Sequence, residues 1–141
     1  MPESNNTAII LLGHGSRLPD SGMAMEKVAR LLKEKFGHST VEICHMSLQQ
    51  PDFESVLAHC IAQGADHVIV IPYFLHEGVH MREDIPGMMQ QYAKAHPGVR
   101  LVLGKGLGFD PLLADILHKR IEESRSMDDV RGLNFSGNTP D

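Results

Sequence analysis

Two histidines stand in settings that suit chemistry. His14 lies in Leu-Leu-Gly-His-Gly-Ser-Arg, residues 11–17, and His80 in Ile-Pro-Tyr-Phe-Leu-His-Glu-Gly-Val-His-Met-Arg-Glu-Asp-Ile-Pro, residues 71–86. Each follows an aliphatic run that reads as a buried strand. Neutral imidazole is a good ligand for cobalt, nickel, iron and zinc ions, and with a pKa near about 6.5 it also accepts a proton close to neutrality. Gly13 and Gly15 flank His14, and Gly78 comes two residues before His80, so a flat ligand can approach the backbone closely. Between the histidines, Tyr73, Phe74, Leu75 and Val79 offer an apolar wall. Arg17, Arg82 and Lys105 follow strands on the same side and are placed to meet carboxylates, as are the free N–H groups of a helix opening near His80. The plain alternatives are a polar turn residue at 14 and a first-turn helix histidine at 80.

Strand and helix signals alternate along the chain that must position these groups. Residues 8–12 read as a strand closed by Gly13, and residues 20–36 as a helix with apolar Met23, Val28, Leu31, Leu32 and Phe36, stopping at Gly37. A second strand at 41–46 contains Glu42 and His45, a mixture that suits a sheet edge. Pro51 opens a helix to about Gln63 with Phe53, Val56, Leu57, Cys60 and Ile61 inward, and Gly64 ends it. Residues 67–71, nearly all β-branched, are expected to be the most buried strand. A helix then runs from near His80 to about Ala95, followed by a strand at 99–103, a loop with Gly104, Gly106 and Gly108, and a last helix from Pro111 to about Ser124. The expected domain is 1–125, with residues 126–141 a mobile tail of no period and high polarity.

Alternating β and α segments imply a parallel sheet with right-handed crossovers. For four strands the expected order is 2-1-3-4, a flavodoxin-like three-layer α/β sandwich. Strands 1 and 3 are then neighbours, and the winding reverses between them. Such a sheet opens its ligand crevice above their carboxyl ends, where His14 and His80 converge.

Composition narrows the function classes. At 141 residues, 42% of them hydrophobic and none Trp, the chain can bury a core of Leu, Ile, Val and Met without disulfides or a structural metal. Cys44 and Cys60 form no Cys-x-x-Cys pair, which suits a reducing compartment. No apolar run approaches a membrane span, and the polar start lacks the basic residues of an export signal, so a cytoplasmic protein with no membrane partner is expected. A net charge of −5 disfavours nucleic acid. The Arg-His-Gly of a histidine phosphatase, the Gly-x-Ser-x-Gly of a serine hydrolase, Gly-x-Gly-x-x-Gly and a Walker loop are all missing.

Gly-His-Gly-Ser-Arg after the first strand, followed about sixty residues later by Pro-Tyr-Phe-Leu-x-x-Gly-x-His-x-x-x-Asp-Ile-Pro, resembles the small class II tetrapyrrole chelatases, the sirohydrochlorin cobaltochelatase family. The resemblance covers roughly residues 8–125. It implies a chelatase-like half-domain that works as a homodimer on a sirohydrochlorin-like tetrapyrrole. It also implies a divalent ion, cobalt first with nickel or iron as alternatives, taken as co-substrate with no tightly bound cofactor. His14 and His80 would hold the metal above the macrocycle, one of them taking pyrrole protons. Ser16 and Arg17 would face the substrate, and the segment Phe74, Leu75, His76, Glu77, Gly78 and Val79 would lie along it.

One segment departs from the family pattern. After strand 2 that pattern resembles Phe-Leu-Glu-Leu-x-Glu-Pro, where this chain has His-Met-Ser-Leu-Gln-Gln-Pro, residues 45–51. The metal-side glutamate falls on Ser47 and the substrate-side one on Gln50. His45 points to the same side of the strand as position 47, and His76 lies one turn before His80 if that helix starts early. Either is a candidate substitute ligand; the plain readings are a tolerated edge-strand residue and an exposed one. With both carboxylates missing, a non-catalytic metal or tetrapyrrole carrier on the same fold stays a rival.

Overall fold

The computed structural model describes residues 6–15, 22–46, 49–76 and 78–133, with the side chain of His80 outside that description. Four strands, β1 (Thr7–Gly13), β2 (Val41–His45), β3 (His67–Pro72) and β4 (Arg100–Leu103), alternate with α1 (Met23–Phe36), α2 (Phe53–Ala62), α3 (Val79–Ala95) and α4 (Leu112–Ser124). All pairings are parallel and the order is β2-β1-β3-β4, as the alternation predicts. The chain forms two compact units, one ending at Gly108 and the other starting at Phe109.

In the first unit, side-chain alternation along the strands sorts the core into two faces. Ala8, Ile10 and Leu12 of β1, Cys44 of β2, and Val68 and Val70 of β3 pack with Phe53, Val56, Leu57 and Cys60 of α2 and Ile85 and Met89 of α3. Ile9, Leu11 and Val41 turn the other way, onto Met25 and Ala29 of α1. Helices therefore cover both faces, giving three layers. Each fully buried Ile, Leu or Val contributes about 1.5–3 kcal/mol of transfer free energy, so this double-faced burial is what fixes the register.

Several local expectations are refined. β1, not β3, is buried from end to end. On β3, Val68, Val70 and Pro72 are buried while Ile69 and Ile71 stay half-exposed, because α1 packs over β1 and β2. On α1 Met25 and Ala29 are buried, the expected Val28 and Leu32 pack half-buried beside them, and Met23, Leu31 and Phe36 are exposed. Gly37, in the left-handed region at φ 78°, ends that helix as anticipated. α2 begins two residues later than Pro51: Asp52 is the cap, its Oδ1 accepting the Ser55 N–H at 2.9 Å.

In the second unit no residue of α4 is buried. Asp110 Oδ1 accepts the Leu112 N–H at 2.9 Å at the start of α4, and Arg120 pairs with Glu123 one turn apart at 2.9 Å. Within the expected tail, Val130–Gly132 form a single 3-10 turn capped by Asp129, and residues 134–141 lie outside the described ones.

Candidate functional site

The site is built on one row across the sheet. Gly13, the last residue of β1, pairs with His45, the last of β2. On its other side Leu12 pairs with Pro72, so Gly13 stands beside Tyr73, whose N–H donates to the Leu12 carbonyl at 2.7 Å. The row thus reads His45, Gly13, Tyr73, with a missing side chain in the middle. Above that gap opens a cleft of about 200 Å³ lined by Gly13, His14, Gly15, Met25, His45 and Tyr73. A Cβ on Gly13 would come within 3.1 Å of Met25 Cε and 3.6 Å of His45 Cδ2, which shows how tightly the floor is drawn.

His14 leaves the strand at the mouth of the cleft and is exposed. Gly15, at φ 91°, turns the chain sharply behind it, a conformation that L side chains seldom adopt. The imidazole lies against the Phe74 ring, with centroids 4.2 Å apart and planes tilted by 36°. Here the strand neighbours meet: continued by two residues, the β1–β3 register sets position 14 beside position 74.

His45 departs from the plain edge-strand reading. Although β2 is an edge strand, His45 is only 3% exposed, and neither Nδ1 nor Nε2 has a hydrogen-bond partner. Its backbone is tied on both sides, its N–H donating to the Pro51 carbonyl at 3.0 Å, while the next residue, Met46, donates to Gly13 at 2.9 Å. Met25 from α1 closes the cleft from above and is itself buried.

The backbone of His80 lies in the first turn of α3, as expected, with Gly78 as cap and the Arg82 N–H closing that turn on the Gly78 carbonyl at 3.0 Å. α3 starts at Val79, so the condition for stacking His76 one turn before His80 is not met. His76 sits in the preceding loop and lines a second cavity of about 290 Å³ with Phe74, Leu75, Arg82, Gly106 and Gly108. Phe74 therefore borders both spaces, touching His14 on one side and lining the His76–Arg82 cavity on the other. Gly106 lies close over the strand end, where a Cβ would come 3.3 Å from the Pro72 carbonyl oxygen. Of the remaining expected residues, Gln50, Leu75, Gly78 and Val79 are exposed, Leu75 in the wall of the second cavity, and Ser16, Arg17, Ser47 and Glu77 lie outside the described residues.

Electrostatics removes one class of ligand. Burial pushes the Cys44 thiol up to about 12, with the nearby Asp52 carboxylate and Cys60 adding to the shift, and burial with Glu42 raises Cys60 to about 11. Thiolates bind metals and thiols hardly do, so both cysteines serve the core behind β2. Hydrogen bonds from Ser55 hold the Asp52 carboxyl below its ordinary range, committing it to capping α2. Among the described residues no three His, Cys, Asp or Glu side chains converge as a metal cluster. What the described residues bring together is His14 and His45 in one cleft. In the sequence Met25 reads as core filler before pocket lining, and Gly106 as an ordinary loop glycine; the structure puts both at the openings.

Comparison with known proteins agrees with this fold. A family model described as CbiX matches residues 8–124. A chloroplastic sirohydrochlorin ferrochelatase of Arabidopsis thaliana is 36% identical over 118 residues, covering 84% of this chain and 52% of that one. A sirohydrochlorin cobaltochelatase of Methanopyrus kandleri is 32% identical over 137 residues, covering 83% of this chain and 96% of that protein. Among solved structures, the cobalt complex of the sirohydrochlorin chelatase SirB from Bacillus subtilis superposes with a TM-score of 0.76 at 29% identity, over 89% of this chain and 57% of SirB. The chain thus spans about half of some relatives and nearly the whole of others. Since the matched segment takes in every strand and the cleft they carry, the chain belongs to the CbiX family.

Proposed function

We propose that this protein inserts a divalent metal ion, cobalt before iron or nickel, into a sirohydrochlorin-type tetrapyrrole on the route to cobalamin. The observation that carries the reading is the cleft at the carboxyl ends of β1, β2 and β3, with His14 at its mouth, in a chain whose relatives are named for both cobalt and iron insertion. The tetrapyrrole and the ion are both substrates, and no resident cofactor is required.

Charge dictates the mechanism. A divalent ion entering a free-base tetrapyrrole replaces two pyrrole N–H protons, so the protein must present the ion to the ring face, hold it weakly and accept protons. Neutral imidazoles in an open cleft serve both needs near neutrality. His14 and His80 are assigned to the metal, with one of them taking a proton as the ion enters. The segment from Phe74 to Val79, with Ser16, Arg17, Ser47 and Gln50, is assigned to the macrocycle. A cytoplasmic homodimer fits a chain that spans about half of the longer relatives, and light scattering of the purified protein tests the assembly.

The rival carrier reading is favoured by one observation, the loss of both carboxylates at Ser47 and Gln50. Mixing the protein with excess sirohydrochlorin and cobalt separates the two. A catalyst converts many equivalents of tetrapyrrole per chain, followed by the change in its visible absorption. A burst that stops at one equivalent would leave only a carrier.

A further inference from the structure

We propose that His45 is a nitrogen donor to the incoming metal ion, sharing it with His14; this rests on the chelatase reading above. The family pattern places a phenylalanine, not a ligand, at this position, so the role belongs to this chain's own sequence. The first support is burial. An imidazole that is 3% exposed with both nitrogens unpartnered gains nothing from its polarity in the folded unit. Each unmet polar atom costs stability, which an apolar ring of similar size would avoid. The second support is placement. His45 and His14 line the same cleft, over the gap left by Gly13, and among the described residues no carboxylate contributes to that lining.

The structural alternative, that the ring caps the start of α1, has been approached but not realised. Gly22, the cap residue of α1, lies beside the ring, where a Cβ would be 3.3 Å from His45 Nε2. Yet no donor there reaches either nitrogen. A metal ion bound through one nitrogen would give that nitrogen the partner it lacks. Exchanging the family's glutamate for imidazole shifts the donor set from oxygen to nitrogen, which favours cobalt and nickel over iron.

Cobalt titration of the tetrapyrrole-free protein, read by calorimetry and by the visible bands of bound Co(II), tests the assignment. His45→Phe and His45→Asn should each bind cobalt at least about tenfold more weakly, equivalent to about 1.4 kcal/mol. They should also lower the ratio of cobalt to iron insertion rates. Adding either substitution to His14→Ala should cost less than it does alone, because one shared ion has already been lost. If His45→Phe raises the melting temperature while cobalt affinity, cobalt bands and metal ratio all stay unchanged, the ring is packing and the proposal is wrong. His45→Gln repeats the titration should either variant fail to fold. Failure of the chelatase reading looks different: the wild-type chain would bind cobalt through His45 yet turn over no tetrapyrrole.

Discussion

The imidazole of His14 lies 4.2 Å, centroid to centroid, from the ring of Phe74, and this contact joins the ends of the two central strands. An exposed turn histidine would otherwise sample several rotamers. An aromatic face on one side restricts it, and the same face lines the cavity that His76 and Arg82 border. Phe74 is thus a positioning residue for His14. Phe74→Leu keeps most of the apolar volume and removes the ring face. Its expected effect is a fall in insertion rate on the order of 10–100-fold, the scale of a misplaced reacting group, with little change in melting temperature. Rates equal to wild type would mean that His14 is oriented by something else.

Removing the imidazoles themselves should be more severe. His14→Ala and His80→Ala are each expected to abolish metal insertion while leaving the circular dichroism spectrum intact, since His14 is exposed and His80 belongs to the first turn of α3. The measurement is insertion of cobalt into sirohydrochlorin at saturating metal. Near wild-type turnover from both variants would remove the mechanism.

Much of this arrangement was legible before any coordinates. Alternating aliphatic runs and helical periods placed four strands in the order 2-1-3-4, and that order alone brought residue 14 beside the segment after β3. The burial of His45 was not legible. A histidine next to Glu42 on an edge strand looks solvated, and only the register with Gly13 and the descent of Met25 from α1 show that it is enclosed. Helix α1 misled for a related reason. Leu31 and Phe36 are exposed and Val28 and Leu32 only half-buried, while smaller Ala29 and flexible Met25 are the residues that bury fully against the sheet. Periodicity reports which face is apolar, and contact distance decides which residues fit beneath it.

The empty place at Gly13 is testable in its own right. In Gly13→Ala the new methyl would meet the movable end of Met25 at 3.1 Å and the edge of His45 at 3.6 Å. Because the nearest atom is the end of a flexible side chain, the fold should absorb the change at about 1 kcal/mol, the low end for overpacking. The cleft has no such slack. Insertion should fall on the order of tenfold or more, with the apparent affinity for metal weakened more than that for tetrapyrrole. A variant with unchanged metal dependence would show that the ion does not pass over Gly13.

The two cysteines give a prediction with a defined sign. Both thiols are raised by burial, Cys44 to about 12 and Cys60 to about 11, against an ordinary value near about 8.5. A raised value means that the folded protein keeps the protonated thiol where the unfolded chain has begun to ionise. The associated stability is therefore complete below about pH 8.5 and is lost as the pH climbs through 11 and 12. Urea midpoints measured at pH 7.5, 9 and 10 should decline in the wild-type protein and decline less in Cys44→Ala/Cys60→Ala, whose starting stability is lower because of the cavities left in the core. Iodoacetamide at pH 8 should label the native chain slowly and the urea-unfolded chain fast. Rapid labelling of the folded protein would place at least one thiol at the surface and contradict the buried positions of β2 and α2.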